Sequence, residues 1–458
     1  MMITRRKMIK TTAFIGTALA TGTGTTACSN AATISSTFSG EHATSLDPAK
    51  LARQILADPV LREVRKMARH LLAGRVNAGS GYQEVWIRDL NTFVQVALEV
   101  NSPKQLREAL VTFFKFQGPQ GDIVDGYLAD NLAKGKPFHR TSPLVPGFVA
   151  FKNTVETDQE SSLVQAIFKY ISTTHDTSIL EERIAGLAIR ERMGQALHYV
   201  QTERSSAKFG LVWGGTTADW GDVQPETPWG VKLDSHSHKA ISIYDNAMLA
   251  IAMDNYLQLP GGSADESRQW AFLRDALKGN VRKYLWDSKR HKFIPHIYLA
   301  GSPFPKDFDE NAIYYHGGTA VAIEAGMLTR DEVWHALEKM NADVRAARAA
   351  SIGLTLYPPY PKGFFKNPYM APYSYQNGGD WSWFGGRMIQ QLVRYGYVAA
   401  AYGNLAPMVD RVVRTGGFHE WWTPDNQPRG SANFRGSAGV LGQAIAMLHA
   451  WATHHIDG

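Results

Sequence analysis

The chain has 458 residues, 44% hydrophobic and 20% charged, the composition of a globular protein with a large core. Its net charge of +6 falls to near +2 once the four cations before residue 28 (Arg5, Arg6, Lys7, Lys10) are set aside (6 − 4), and no basic tract interleaves with aromatics, which argues against a nucleic-acid partner. The single cysteine, Cys28, excludes an internal disulfide and a cysteine-based metal site.

Residues 1–28 read as an export segment. Thr4-Arg5-Arg6-Lys7 resembles a twin-arginine signal, and a weakly apolar Ala/Gly/Thr stretch follows that is too short and polar to span a bilayer. Thr25-Thr26-Ala27-Cys28 resembles a lipoprotein cleavage site with Thr25 where Leu is usual, so lipid on Cys28 would anchor the chain to a membrane. The expected location is periplasmic or secreted. Residues 29–48, rich in Ser, Thr and Ala, read as a linker, and 49–458 as one domain.

From residue 50 a period of 3.6 dominates. It aligns Trp86, Leu90, Phe93, Val94, Ala97 and Leu98, and later Leu163, Val164, Ile167, Phe168 and Ile171. Further faces are Ile189–Val200, Trp270–Tyr284, Met388–Tyr395 and Val440–Trp451. About twelve helical segments follow, with short strand-like pieces such as Lys292–Leu299. Loops rich in Gly, Asp, Trp and Tyr precede alternate helices, the arrangement expected of six helical hairpins closed in a ring. An open helical-repeat array would need repeats of fixed length, which are absent.

Several loops carry chemistry. Gly81-Tyr-Gln-Glu-Val-Trp-Ile-Arg-Asp-Leu90 sets Arg88 and Asp89 side by side near a helix start, beside Trp86. Asp89 is either a general acid with a burial-raised pKa or a carboxylate bonded to helix-start N–H groups. Phe418-His-Glu-Trp-Trp-Thr-Pro-Asp425 sets Glu420 between aromatics, as a catalytic base or as the holder of Arg429 or Arg435. Inversion needs an acid and a base roughly 6.5–9.5 Å apart to admit a water. Trp213-Gly-Gly-Thr-Thr-Ala-Asp-Trp-Gly-Asp222 and Tyr375-Gln-Asn-Gly-Gly-Asp-Trp-Ser-Trp383 offer indoles, amides and carboxylates in tight turns. Trp213, Asp219, Trp220, Asn377, Asp380, Trp381, Trp422 and Arg429 are therefore candidate sugar-binding groups, with Trp86, Arg88 and Asp158. His236 and His238, at i and i+2, do not share a helical face, so no metal site is expected.

These segments together resemble a family. Gln83-Glu-Val-Trp-Ile-Arg-Asp-Leu90 is similar to the Val-Arg-Asp segment of alkaline/neutral invertases, Tyr375–Trp381 to their Tyr-His-Asn-Gly-Gly-Ser-Trp loop, and Phe418–Trp422 to their Trp-Pro-Glu-Tyr-Tyr loop. Asn153-Thr-Val-Glu-Thr-Asp158 resembles the Asn-Ser-Val-Asp loop of bacterial glycogen-debranching glucosidases. The resemblance implies an all-α (α/α)6 toroid, inverting glycoside hydrolysis without a cofactor, Asp89 as acid and Glu420 as base. Asp380 and Gln376 depart from the invertase pattern, and Thr217–Asp222 stands where the invertases have Met-Ile-Asp-Arg-Arg, so an α-glucoside, α-mannoside or short oligosaccharide is expected rather than sucrose. The other readings are a lyase or sugar epimerase using His236, His238 or Tyr244, and a non-catalytic glycan-binding lipoprotein. A monomer or small homo-oligomer is expected.

Overall fold

The computed structural model describes residues 47–136, 139–228 and 231–456. The export segment, Cys28 and all but the end of the expected linker lie outside the described residues.

Thirteen helices form among the described residues: α1 (Pro48–Ala57), α2 (Pro59–Leu72), α3 (Ile87–Leu98), α4 (Pro103–Lys115), α5 (Gln159–Thr174), α6 (Ile189–Glu203), α7 (Ile243–Gln258), α8 (Ala264–Tyr284), α9 (His316–Glu324), α10 (Arg330–Ala347), α11 (Ser382–Arg394), α12 (Val398–Thr415) and α13 (Arg435–Ile456). Helices α3, α5, α7, α9, α11 and α13 each touch the next, and α13 returns to α3, so an inner ring closes. Each of α4, α6, α8, α10 and α12 backs the inner helix before it, and α1 with α2 backs α13. The architecture is an (α/α)6 toroid. The first helices complete the last hairpin, so the ring closes by packing rather than by chain continuity.

Glycines allow that closure. Gly436, Gly439 and Gly442 recur at three-residue spacing on α13, which puts them on one helical face. A Cβ at Gly439 would run into Phe93 of α3, and one at Gly442 would lie 3.4 Å from Ala68 and Val96. Bare backbone therefore lets α13 approach α3 and α2 together.

The connections differ at the two ends. Those within a hairpin are short, such as residues 259–263 and 325–329, whereas those entering an inner helix are long, as in residues 116–158 and 204–242. Small sheets stiffen the long loops. Val85–Trp86 pairs with Gly126–Tyr127, which continues onto Phe148–Phe151, and Trp421–Trp422 pairs with Pro428–Arg429. The expected hairpin at 292–299 is instead two separate strands, Lys292–Phe293 against Trp286–Asp287 and Ile297–Tyr298 against Ala240–Ile241.

Candidate active site

All the long loops stand over the N-terminal ends of the inner helices. Outer helices α1, α2, α4, α8 and α10 begin with an Asp, Ser or Thr whose own side chain accepts from the first turn. Inner helices α3, α5, α7, α9 and α11 begin without any such bond. Their first N–H groups and the positive ends of their dipoles therefore face the loop layer, a setting that favours carboxylates and developing negative charge.

Residues 78–89 and 418–436 build one wall. Arg435 N–H donates to Ala78 O (2.8 Å), Ser80 N–H to Asn433 O (3.3 Å), and Phe434 N–H to Phe418 O (2.7 Å). Glu420, 2% exposed, receives the Tyr82 hydroxyl on Oε1 (3.0 Å) and the Ser431 N–H on Oε2 (2.9 Å). Gly430, at φ 75°, passes so close that a Cβ there would collide with the Glu420 carboxyl. Asp89 is the third residue of α3 and 1% exposed. A Cβ placed on Gly436 would sit 3.5 Å from Asp89 Oδ1. The stretch from Ser431 to Gly436 thus runs from an N–H bonded to Glu420 to a glycine beside which only the space of a methyl group lies before Asp89, and five residues span at most about 17 Å. Trp86 completes this wall, its ring filling the space a side chain at Gly126 would need.

The neighbouring wall centres on Arg88, which turns away from its chain neighbour Asp89. Its guanidinium grips Asp158 (Nε–Oδ2 2.6 Å, Nη2–Oδ1 3.3 Å), pairs with Glu156 and donates to Trp220 O (3.3 Å). The Tyr244 hydroxyl donates to Asp158 Oδ2 (2.9 Å). Burial pushes the Glu156 carboxyl well above the usual range; Arg88 opposes this, while Asp158, Asp125 and Asp222 reinforce it. Asp222 accepts from Gln376 Nε2 (2.6 Å).

Asp219 is buried at the start of α9 in the left-handed region, φ 55°, which Asp tolerates better than most residues. Gly318 N–H donates to both its oxygens (2.9 and 3.0 Å). Burial nevertheless pushes its carboxyl up to about 8, against the lowering effect of the Gly318 and Gly317 N–H groups. Trp220 packs edge-on against Trp381 (4.8 Å between centroids) and Trp383 (5.4 Å) in a sealed aromatic cluster.

The sequence-predicted residues therefore separate. Asp89 is not the N-cap residue of α3, a place that Trp86 takes without a side-chain bond; it stands in the helix's first turn. Of the two arginines considered for Glu420, Arg435 donates to Leu71 O and Asn77, and Arg429 is exposed, donating to Pro428 O. Arg88 and Asp158 satisfy each other. Asn377, expected on the binding surface, is spent on Tyr360 and Met370. Asp380, expected there too, is 0% exposed and takes Arg411 Nη2 (2.8 Å), the Ser351 hydroxyl and the Ser351 N–H. Trp381 donates to Tyr375 O (2.8 Å), and Trp422 lies under the Arg411 guanidinium (4.8 Å). Trp213 has Arg204 and Lys239 against its ring at 4.4 and 4.3 Å. These residues have one feature in common: the loop layer is thick, and its inner residues bond to one another. Sequence reasoning did not single out Tyr82, Glu156 or Arg411. Glu156 stands within a segment already read as a motif, but Tyr82 meets its partner 338 residues away, with no local signature.

No family model matches the sequence, and no curated protein matches it. Solved structures do. An uncharacterised conserved protein from Thermus thermophilus is 17% identical with a TM-score of 0.60, covering 83% of this chain and 99% of its own. The GH63 mannosylglycerate hydrolase of the same organism, in complex with glucose, is 16% identical with a TM-score of 0.59, covering 84% of this chain and 99% of its own. A rhamnosidase from Klebsiella oxytoca with rhamnose bound is 13% identical with a TM-score of 0.55, covering 84% of this chain and 63% of its own. At these identities the likeness is one of fold.

Proposed function

We propose that the protein is an inverting glycoside hydrolase acting on an α-linked glucoside, mannoside or short oligosaccharide, with Asp89 as general acid and Glu420 as general base. The observation that supports this reading is the one wall, Ser431–Gly436, that runs from the N–H bonded to Glu420 to a glycine beside Asp89, over the open N-terminal ends of the inner helices. Asp89 would protonate the departing oxygen. Glu420, oriented by Tyr82 and Ser431, would take a proton from the water attacking the opposite face of the ring. Similarity of fold to a mannosylglycerate hydrolase and a rhamnosidase supports glycoside chemistry over the other readings. So does Tyr244, whose proton is engaged on Asp158 and whose pKa burial raises well above the ordinary phenol value, which makes it a poor lyase base.

The test is a panel of aryl and disaccharide α-glycosides assayed with the parent and with Asp89→Asn and Glu420→Gln. One or more substrates should be cleaved by the parent, and each variant should lose turnover while keeping its melting temperature. NMR of the first-formed sugar should show the anomer inverted. Full turnover in either variant, or a retained anomer, would overturn the assignment.

A further inference from the structure

A group of cations stands on the outer layer of the ring, on helix α2. Helix α2 carries Arg62, Arg65, Lys66 and Arg69 against Glu63 alone, a charge of +3 (4 − 1), whereas the whole chain beyond residue 28 is near +2 (6 − 4). All four cations, with His70 and His449, line a cleft of about 560 Å³ on the outside of the ring. Three acids stand beside it, Asp58 at the start of α2, Glu63 and Glu99, and leave it one charge positive (4 − 3). Glu99 serves both Arg65 (3.1 Å) and Arg69 (3.4 Å), and Glu63 is 3.9 Å from a largely exposed Lys66. Among the described residues Arg62 donates to the Leu56 carbonyl (2.7 Å). At the cleft's edge His449 Nε2 is buried without a hydrogen-bond partner.

The position of the cleft suggests what fills it. The described chain begins at Asp47, which caps α1, and Leu56 of that same helix lines the cleft. Cys28, the expected lipid attachment point, lies 19 residues before Asp47 (47 − 28). Nineteen residues reach at most about 65 Å in any conformation. A lipid there would hold the cationic face within reach of the bilayer, where clustered Lys and Arg are drawn to anionic headgroups.

We propose that the α2 cleft docks on the phosphates of anionic phospholipids and sets the orientation of the protein on the membrane. This does not depend on the glycosidase reading. The test uses the chain from Ser29, which lacks both the lipid and the cationic leader but keeps the whole closed ring. Sedimentation is measured with vesicles of phosphatidylcholine alone and with about one-third phosphatidylglycerol. Binding is expected to the anionic vesicles only, and to fall in high salt. Neutralising three exposed cations together (Arg62→Gln, Lys66→Gln, Arg69→Gln) should weaken it by about 100-fold, at roughly fivefold per cation. The variant's melting temperature should match the parent's. Binding to neither vesicle, or anionic binding that the triple variant retains, would overturn the proposal. So would saturable binding of inorganic phosphate in the cleft without vesicle binding, which marks a free-anion pocket.

Discussion

Two loops of similar make-up meet at the mouth of the ring. Tyr373–Trp381 and Gly416–Phe434 each hold a Gly-Gly pair, one or two tryptophans and one buried carboxylate, and they are bonded directly, Asp380 N–H to Trp422 O (2.9 Å) and Trp422 N–H to Asp380 O (2.8 Å). Their carboxylates are treated differently. Asp380 is claimed by Arg411, a guanidinium with 0% side-chain exposure that α12 supplies from the outer layer. Glu420 is held by a phenol and a backbone N–H, which orient it without supplying a formal positive charge. A carboxylate in a Gly/Trp loop thus becomes a structural tie or a candidate base according to which donor the far side of the ring supplies.

That contrast makes its largest prediction in turnover. Glu420→Gln and Asp89→Asn should each lower kcat by about 10²–10⁴-fold, the usual contribution of a positioned acid or base, with little change in melting temperature. Asp380→Ala should do the reverse. It strands Arg411 in the interior and should cost about 3–5 kcal/mol in urea unfolding. The double variant Asp380→Ala/Arg411→Leu should recover part of that loss, because no buried charge remains unpaired. A double variant as unstable as the sum of the singles would show that the pair is not coupled, and the distinction between the loops would fail.

Gly430 sharpens the same contrast. A methyl group there meets both a left-handed φ of 75° and the Glu420 carboxyl, whereas Gly416 has a similar φ of 71° with nothing within 4 Å of a Cβ. Both Ala substitutions should cost about 1–2 kcal/mol in stability from backbone strain. Only Gly430→Ala should also displace Glu420, lowering kcat by roughly 10–100-fold. Equal activity in the two variants would mean that Glu420 does not need its present position.

Helical spacing was legible in both layers, on α3, α5, α11 and α13 of the inner ring and on α6 and α8 of the outer one. Helices α6 and α8 have one face toward the core and one toward water, so their apolar positions recur at helical spacing. The inner helices α7 and α9 are buried almost all round, and α9 has no polar face to set a period. The Asp89 and Glu420 loops were legible because the residues before and after each form a recognisable string. The fates of Asn377 and Asp380 were not, since Tyr360, Met370 and Arg411 lie 7 to 31 residues away and nothing local announces which atoms they will occupy. The Arg88–Asp158 bond was hidden likewise by 70 residues of separation.

Asp219 supplies a third treatment of a buried carboxyl, with neither Arg411's cation nor Tyr82's phenol but two contacts from one backbone N–H. Its folded pKa of about 8 lies above the unfolded value of about 3.9, so between those values the folded state holds a proton the unfolded state has lost. Stability from this group is then fully present below pH ~4, declines by up to ~1.4 kcal/mol per pH unit as pH rises, and levels off above pH ~8. Asp245, pushed up to about 7 by burial, acts in the same direction, so the parent alone does not isolate Asp219. The difference between the parent and Asp219→Asn does, because Asp245 is common to both. Urea unfolding at pH 5, 7 and 9 should show the parent losing stability relative to the variant from 5 to 7 and again toward 8, then running parallel to it. A difference that stays constant with pH would mean that Asp219 is ionised in the folded protein, against the effect of its burial.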